Sequence, residues 1–477
     1  MICVMGGFQW VALCAASVAF AVSPVAGGDS SRQPNLIFIM ADDLGYGHLG
    51  CYGQKYIRTP NIDSLAAQGM RFTQCYAGAS VCAPSRSVLM TGLHGGHTPV
   101  RGNSGGIPLL PQDVTVAEVL KKAGYATGLF GKWGLGEHGT TGVPTKQGFD
   151  EFFGYLHQIH AHFYYPAYLW RNDRKYPLAG NDGKSGRYAH DEIVAHALDF
   201  IRRHKDGPFF AYVPFAIPHY ELLVPEDSLR AYAGKFPERP YRGRGKRPAG
   251  YPSDYAAQAT PKAAIAAMIT RMDRSVGRIM TLLKRLGLDD KTIVFFTSDN
   301  GPSGGQGDPV FFNASGGLRG LKASLYEGGL RVPMIVRWPG KVPAGSFSDH
   351  AWYFADVMPT LAELARTEPP TGIDGISIVP TLVGDTAAGR EQRQHAFMYW
   401  EDSQACAVRM GRWKAIQNPR VSGKLALYDL RHDAAEKRNV ADDHPDLVTR
   451  IEAYLQTART RPRPQVEPTK PKGRQYQ

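Results

Sequence analysis

Five short runs in the body of the chain are apolar from end to end, and helical patterns separate them. They are Asn35–Met40 (NLIFIM), Ala126–Phe130 (ATGLF), Phe209–Phe215 (FFAYVPF), Thr292–Thr297 (TIVFFT) and Val332–Arg337 (VPMIVR). A strand with one wet face alternates polar and apolar residues; a continuous apolar run marks a strand covered on both faces. Helical patterns fill the intervals at Val116–Ala123, Glu192–His204 and Pro261–Leu286. Another opens at Thr59-Pro60, with a cap residue, a proline at the first helical position and Gly69 beyond its end. This alternation over residues 33–390 predicts an α/β domain: a large mixed, mostly parallel sheet flanked by helices on both faces. From 391 the pattern changes. HAFMYWE, CAVRM, WKAIQ and ALYDL read as antiparallel hairpins, followed by a helix at His444–Leu455. Residues 391–458 are therefore expected to form a small C-terminal α+β domain carrying an antiparallel sheet. No internal repeat occurs.

The two ends read differently. Phe8–Ala26 is apolar and rich in small residues, and Ala19-Phe20-Ala21 resembles a cleavage site, although no Lys or Arg precedes Arg32. Residues 1–28 are read as a signal peptide. Export to the periplasm or cell exterior follows, with a lysosomal or other secretory compartment as the alternative. Membrane attachment is expected only if the segment stays uncleaved. Residues 459–477 are Pro-rich, basic and apolar-poor, which predicts a disordered tail. That tail carries part of the net charge of +12. A basic balance favours anionic partners, whether nucleic acid, anionic lipid or a sulfated or phosphorylated substrate, so charge alone specifies little; with the motifs below, no nucleic-acid partner is expected. The loop-rich stretch 216–260 holds another basic piece, ERPYRGRGKRPAG at 238–250, read as a solvated insertion or a groove wall for an anionic substrate. Of six cysteines, Cys3 and Cys14 would leave with the signal peptide. Cys51, Cys75, Cys82 and Cys406 are too few for a disulfide scaffold in a chain of this size.

Four of the strand runs end in reactive polar residues: Asp42-Asp43, Gly131-Lys132, Pro218-His219 and Asp299-Asn300. Ligands of open α/β sheets bind beyond the carboxyl ends of the strands. Asp42, Asp43, Asp299 and Asn300 are hard oxygen donors suited to a divalent cation, Ca²⁺ or Mg²⁺. Lys132, His219, Lys322 and Arg319 add positive charge, so cation and bases together would suit a tetrahedral oxyanion. Cys82, in VCAPSR, is placed just ahead of a helix N-terminus, with Pro84 in the first turn and Arg86 one turn on. Such a position lowers a thiol pKa. A thiolate matches a hard cation poorly, and an oxygen nucleophile would fit better.

The segment CAPSR followed by SVLMTG resembles the signature of the type I sulfatases, in the alkaline-phosphatase-like superfamily. ADDLGYG (41–47), GKWGLG (131–136), TSDNG (297–301), LRGLK (318–322), YEGGLRVP (326–333) and LYDLRHDAAEKRNVAD (427–442) are similar to family blocks in the same order. The resemblance covers about residues 34 to 455 and implies a sulfuric ester hydrolase. It implies that Cys82 is oxidised to Cα-formylglycine by a formylglycine-generating or equivalent converting enzyme. It further implies Ca²⁺, with Mg²⁺ second, on Asp42, Asp43, Asp299, Asn300 and the modified Cys82. The hydrate of residue 82 would attack sulfur with one hydroxyl, and Arg86 would stabilise it. Lys132, His219 and Lys322 would bind sulfate oxygens and help the alcohol depart. The second hydroxyl would then expel sulfate, since a gem-diol ester collapses by itself where a serine ester would await water.

One position departs from the family pattern: many members have histidine where this chain has Gly134. His138, His94 and His97 are candidate substitutes. The segment GYLHQIHAHFYYPAYLW (154–170) is dense in histidine and aromatic residues. Its His160 and His162 are candidate contacts to a sugar ring, which favours a sulfated glycan over another organic sulfate ester. Two other readings stand beside this one: a phosphodiester or phosphonate monoester hydrolase on the same scaffold, and an inactive glycan-binding homologue.

Overall fold

The first predicted strand shows how this chain builds its core. All seven residues of β1 (Asn35–Ala41) are buried. Leu36, Phe38 and Met40 join one apolar cluster, while Ile37, Ile39 and Ala41 join a second on the opposite face. The computed structural model describes Ile2 and residues 33–103, 107–181, 184–243, 255–305, 307–403 and 405–464. Apart from Ile2, the expected signal peptide lies outside the described residues, as do residues 244–250 of the basic stretch and 465–477 of the expected tail. The chain divides into two units, Met1–Arg32 and Gln33–Gln477, and the helices and strands of the described residues belong to the second.

After β1 come α1 (Pro60–Ala67), β2 (Met70–Tyr76), α2 (Cys82–Thr91), α3 (Val116–Lys122) and β3 (Ala126–Lys132). A meander follows: β4 (Glu151–Tyr155), β5 (Tyr168–Arg171) and β6 (Arg174–Pro177). Then come α4 (Ala189–Arg203), β7 (Phe209–Pro214), the single turn α5 (Glu226–Leu229), the long α6 (Pro261–Arg285) and β8 (Thr292–Ser298). The short α7 (Glu327–Leu330) leads into β9 (Arg331–Arg337), β10 (Ser346–Ser348) and β11 (Trp352–Tyr353). Helices α8 (Val357–Leu364), α9 (Val379–Val383) and α10 (Asp385–Ala388) precede the hairpins β12 (Met398–Asp402), β13 (Ala405–Met410), β14 (Trp413–Gln417) and β15 (Leu425–Asp429), and α11 (Pro445–Leu455) closes the order.

Among the described residues the main sheet has eleven strands in the order β10-β2-β9-β8-β1-β7-β3-β4-β5-β6, with β11 also on β2. Its centre is parallel: β1 lies between β7 and β8, β3 lies beside β7, and β4 beside β3. The pairs β8–β9, β2–β9, β4–β5 and β5–β6 are antiparallel. The expected mixed, mostly parallel sheet with helices on both faces is what the chain forms. Helices α2, α3 and α8 contribute to one apolar cluster, and α1, α4 and α6 to the other.

The four-stranded antiparallel sheet β12-β13-β14-β15 also matches expectation. Met398, Trp400, Ala407 and Ile416 pack into the main core, whereas Tyr399, Val408 and Leu427 pack with Ile451 of α11. Trp400 Nε1 donates to the Ala77 carbonyl at 2.8 Å, tying the small sheet to the segment ahead of α2.

One local expectation holds in position but not in bonding: Thr59 is the N-cap residue of α1 and Pro60 its first helical residue. The Thr59 side chain does not cap α1. Its hydroxyl accepts from Gly50 N instead, and the free N–H groups of Asn61 and Ile62 donate to Asp273 Oδ1 of α6. A buried carboxylate from another helix replaces the local cap, because it satisfies two orphan donors at once.

Candidate active site

The strand order carries three of the expected polar segments to one place. Asp42-Asp43 follow β1, Asp299-Asn300 follow its neighbour β8, and His219 follows its other neighbour β7, while Lys132 is the last residue of β3. Asp299 N donates to the Ala41 carbonyl at 3.0 Å, continuing the β1–β8 register past the strand ends. Adjacent residues of an extended strand point to opposite faces. Asp43 breaks that alternation with a left-handed backbone, φ 63°. A short polar side chain tolerates this conformation better than most. Asp43 N donates to Asp299 Oδ1 at 3.0 Å, and Leu44 N donates to Ser298 Oγ at 2.8 Å, which holds the turn.

Helix α2 completes the cluster. It begins at Cys82 itself rather than just after it, and all ten of its residues are buried. Ser85 Oγ donates to the Asp299 carbonyl at 2.5 Å. Arg86 grips the same residue through Nε and Nη2, at 3.2 and 2.8 Å from Asp299 Oδ2, and its Nη1 donates to the Lys132 carbonyl at 2.6 Å. Cys82 Sγ then lies 3.4 Å from Asp42 Oδ1 and 3.9 Å from Asp43 Oδ1. Lys322 Nζ is 3.3 Å from the same sulfur and 2.9 Å from Asp43 Oδ2. Lys132 Nζ pairs with Asp42 Oδ2 at 2.6 Å, and His219 Nε2 stands 3.5 Å from Asp43 Oδ2.

One electrostatic expectation is corrected. The helix start was expected to lower the Cys82 pKa; burial, with the Asp299 and Asp42 charges, instead pushes the thiol up against the pull of Lys132 and Lys322. An unmodified Cys82 is therefore a neutral thiol here, since desolvation outweighs a helix terminus. Burial would raise Asp42, but Lys132, Arg86 and Lys322 hold it below the usual carboxylate range. Burial raises Asp43 to about 6 despite Lys322, with the Asp42 and Asp299 charges adding.

The donor set fits a hard cation. Ligand atoms of Asp42, Asp43, Cys82 and Asp299 all lie within 4.8 Å of one another. Asn300 Nδ2 donates to Asp43 Oδ1 at 2.7 Å, whereas its buried Oδ1 has no hydrogen-bond partner. An orphaned amide oxygen beside three carboxylates is a donor set for a divalent ion.

The histidines separate into two groups. His162 belongs with the site: its ring stacks on His219 at 4.1 Å and 12°, and its Nδ1 bonds the Tyr255 hydroxyl at 3.0 Å. His160 is fully buried, its ring edge-on to Tyr155 and tilted on Tyr168, and burial lowers its pKa to about 3. The suggested substitutes for the missing histidine are held elsewhere. His138 stacks on Trp170, and His94 and His97 face Asp374. Arg319 is likewise turned away, donating to the Glu436 carbonyl at 2.7 Å.

A residue that the sequence reading missed occupies the ground beside Gly134. That glycine has φ 84°, and a Cβ there would meet Gln158 Oε1 at 2.7 Å. Gln158 Nε2 donates to Asn103 Oδ1 at 2.8 Å, and the same oxygen accepts from Ala83 N at 2.9 Å. Gln158 and Asn103 thus brace the first turn of α2 next to Cys82. The only sequence signal was Gly134 itself: a missing side chain leaves room that another must fill. Among the described residues Cys51, Cys75, Cys82 and Cys406 are all free thiols.

Sequence and fold both match known proteins. The sulfatase family model matches residues 34–367. A second, described as N-sulphoglucosamine sulphohydrolase, C-terminal, matches residues 321–461. The chain is 36% identical over 428 residues to arylsulfatase A of Homo sapiens, covering 82% of this chain and 76% of that protein. It is 31% identical over 516 residues to N-acetylgalactosamine-6-O-sulfatase of Bacteroides thetaiotaomicron, covering 91% and 94%. It is also similar to the crystal structure of Ps i-CgsB in complex with k-i-k-neocarrahexaose, with a TM-score of 0.75, 26% identity, and coverage of 91% of this chain and 94% of that one.

Proposed function

The chain belongs to the sulfatase family and hydrolyses sulfate esters, and from that premise we propose that it does so at residue 82, on a sulfated carbohydrate. The supporting observation is convergence: one helix start brings the Cys82 thiol against Asp42, Asp43 and Lys322. Asp42, Asp43, Asp299 and the Asn300 amide oxygen would hold Ca²⁺ in preference to Mg²⁺, which demands a stricter octahedron and keeps more water. When in place, Ca²⁺ and a Cα-formylglycine made from Cys82 supply a hard positive charge and an oxygen nucleophile in place of the thiol.

The side chains have separable duties. Arg86 fixes where residue 82 sits, because Asp299 and the Lys132 carbonyl hold its guanidinium on two sides. Lys132 and Lys322 flank the reacting centre and would bind sulfate oxygens. Arg86, Lys132 and Lys322 already balance the carboxylates of Asp42, Asp43 and Asp299. A dication therefore leaves the pocket about two charges positive, which selects an anionic ester. His219 would pass a proton from Nε2 to the departing alcohol oxygen, its ring held by His162. His162 would meet the sugar directly, and His160, fully buried against Tyr155 and Tyr168, would act only by packing. Gln158 and Asn103 would position residue 82 where many relatives use a histidine.

A carbohydrate substrate is supported by the names of the relatives, one an N-acetylgalactosamine-6-O-sulfatase and another solved with k-i-k-neocarrahexaose. In this reading residues 1–28 direct export, 33–390 carry the chemistry, 391–458 brace it and 459–477 are a tail. The mature enzyme works in the periplasm or outside the cell, after a converting enzyme has acted on the CAPSR segment. No helix of the described residues is long and apolar enough to cross a membrane. The test is turnover of paired sulfate, phosphate and phosphonate esters, before and after chelation. Preference for sulfate, lost with EGTA and restored by Ca²⁺, is expected. Equal or faster phosphate or phosphonate ester hydrolysis would favour the competing hydrolase reading.

A further inference from the structure

Helices α4 and α6 carry two kinds of arginine. Arg203 pairs with Glu151 and Asp199, and Arg271 pairs with Asp191 and Asp227. On the same two helices Arg202, Arg274, Arg278 and Arg285 line a groove of about 440 Å³ that no Asp or Glu lines. All four are exposed, and none has an ion pair or hydrogen bond to a described residue. Arg202 and Arg285 lie in the last turns of their helices, where the dipole favours positive charge. Arg274 and Arg278 are mid-helix and one turn apart, so they repel each other with neither dipole nor carboxylate to offset it.

The groove floor is shaped as well as charged. Gly277 lies between the two mid-helix arginines, and a Cβ there would meet Asn61 Oδ1 at 2.3 Å. The glycine lets Asn61 of α1 seat against α6. The nearby Asp273 is fully buried and committed to Asn61 and Ile62, so it is not offered to the arginines.

Arg274 to Arg285 spans eleven helical steps, about 16 Å at 1.5 Å per residue. A row of that length fits an extended polyanion better than one small anion, and the planar guanidinium fork matches sulfate and carboxylate oxygens. We propose that this groove docks a linear sulfated polysaccharide at a site distinct from residue 82. The preference for a glycan over other polyanions rests on the carbohydrate reading of the active site. Helices α4 and α6 end where β7 and β8 begin, so Arg202 and Arg285 lie toward the amino ends of the strands. The cluster around Cys82 lies at their carboxyl ends. The groove would therefore hold the enzyme on its polymer without presenting an ester to the nucleophile.

The test measures binding of the full chain to heparin by titration calorimetry, beside turnover of p-nitrophenyl sulfate. The triple variant Arg274→Glu/Arg278→Glu/Arg285→Glu is expected to lose at least tenfold in heparin affinity while aryl sulfate turnover stays within twofold. Cys82→Ala is expected to bind heparin as the parent does. Arg420→Glu/Lys424→Glu/Arg431→Glu, an equal charge change on another exposed surface, is expected to lose less than threefold. The proposal is overturned if the two triple variants weaken binding alike, if Cys82→Ala abolishes it, or if duplex DNA binds the groove as tightly as heparin. Aryl sulfate turnover reads the hydrolytic assignment separately, so failure of either claim is visible without the other.

Discussion

Two buried clusters of paired charges among the described residues differ in how they are closed. Around Cys82, three carboxylates and three cations meet at the ends of parallel strands, and the Lys322 side chain keeps 15% of its surface exposed. At the joint with the small sheet, Lys414 pairs with Glu327 at 2.9 Å and Glu436 at 3.1 Å, and all three side chains are fully buried. Tyr76 adds its hydroxyl to Glu327 at 2.8 Å, and Glu327 N donates to Glu436 at 2.6 Å. The second cluster is closed to solvent and can only hold α7 and the small sheet together. The first leaves Lys322 partly exposed and keeps an amide oxygen unpartnered, that of Asn300. Buried charge alone does not distinguish a reactive site from a structural clamp; access and spare donor capacity do.

Separating the two by mutation gives the largest effects. Cys82→Ala is expected to lower sulfate ester turnover by about 10⁴-fold or more, while the melting midpoint moves by no more than about 3 °C. Steady-state kinetics beside calorimetry checks both halves. Lys414→Met is the reverse case. It leaves the buried Glu436 without its cation and Glu327 with only Arg331, at 3.5 Å, and is expected to cost about 3–5 kcal/mol in urea unfolding, with turnover per folded molecule within twofold of the parent.

What could be read in advance divides along the same line. Asp42, Asp43, Lys132, His219, Asp299 and Asn300 were legible because each ends or closely follows a continuous apolar run, and parallel neighbours align their carboxyl ends. The antiparallel hairpins β12–β15 were legible from their alternation. Strand β2 was not: Met70–Tyr76 mixes buried and half-exposed residues with a register shift between Phe72 and Cys75, so neither strand pattern is clean. Gln158 and Asn103 were missed because both come from loops and meet only through tertiary packing. The Cys82 thiol was misjudged for a related reason, since local sequence reveals a helix start but not the burial and neighbouring charge that raise its pKa. The Lys414 clamp likewise joins segments 87 residues apart and leaves no local pattern.

Smaller changes sharpen the contrast. Gln158→Leu removes the bond to Asn103 without removing bulk. It is expected to lower kcat about tenfold with little change in KM, at about 1 kcal/mol of stability, read by kinetics and urea unfolding together. Glu436→Gln tests the clamp by pH. Burial raises the Glu436 carboxyl to about 7 despite Lys414, with the Glu327 charge adding. A carboxyl raised on folding contributes stability that is full below its unfolded value and is lost as pH rises through the folded one. The parent midpoint should therefore fall more steeply than that of Glu436→Gln between pH 4.5 and 7. The difference across that interval should be a few degrees, about 2–3 kcal/mol.

The central claim is that residue 82 works as an oxidised side chain held among Asp42, Asp43 and Asp299. Mass spectrometry of the peptide containing Cys82, from enzyme purified active out of its native host, tests it most directly. The account predicts a mass about 18 Da below that of the thiol peptide, as conversion to an aldehyde requires, in a fraction that tracks specific activity. Full turnover from a sample whose residue 82 is entirely unmodified cysteine would contradict it.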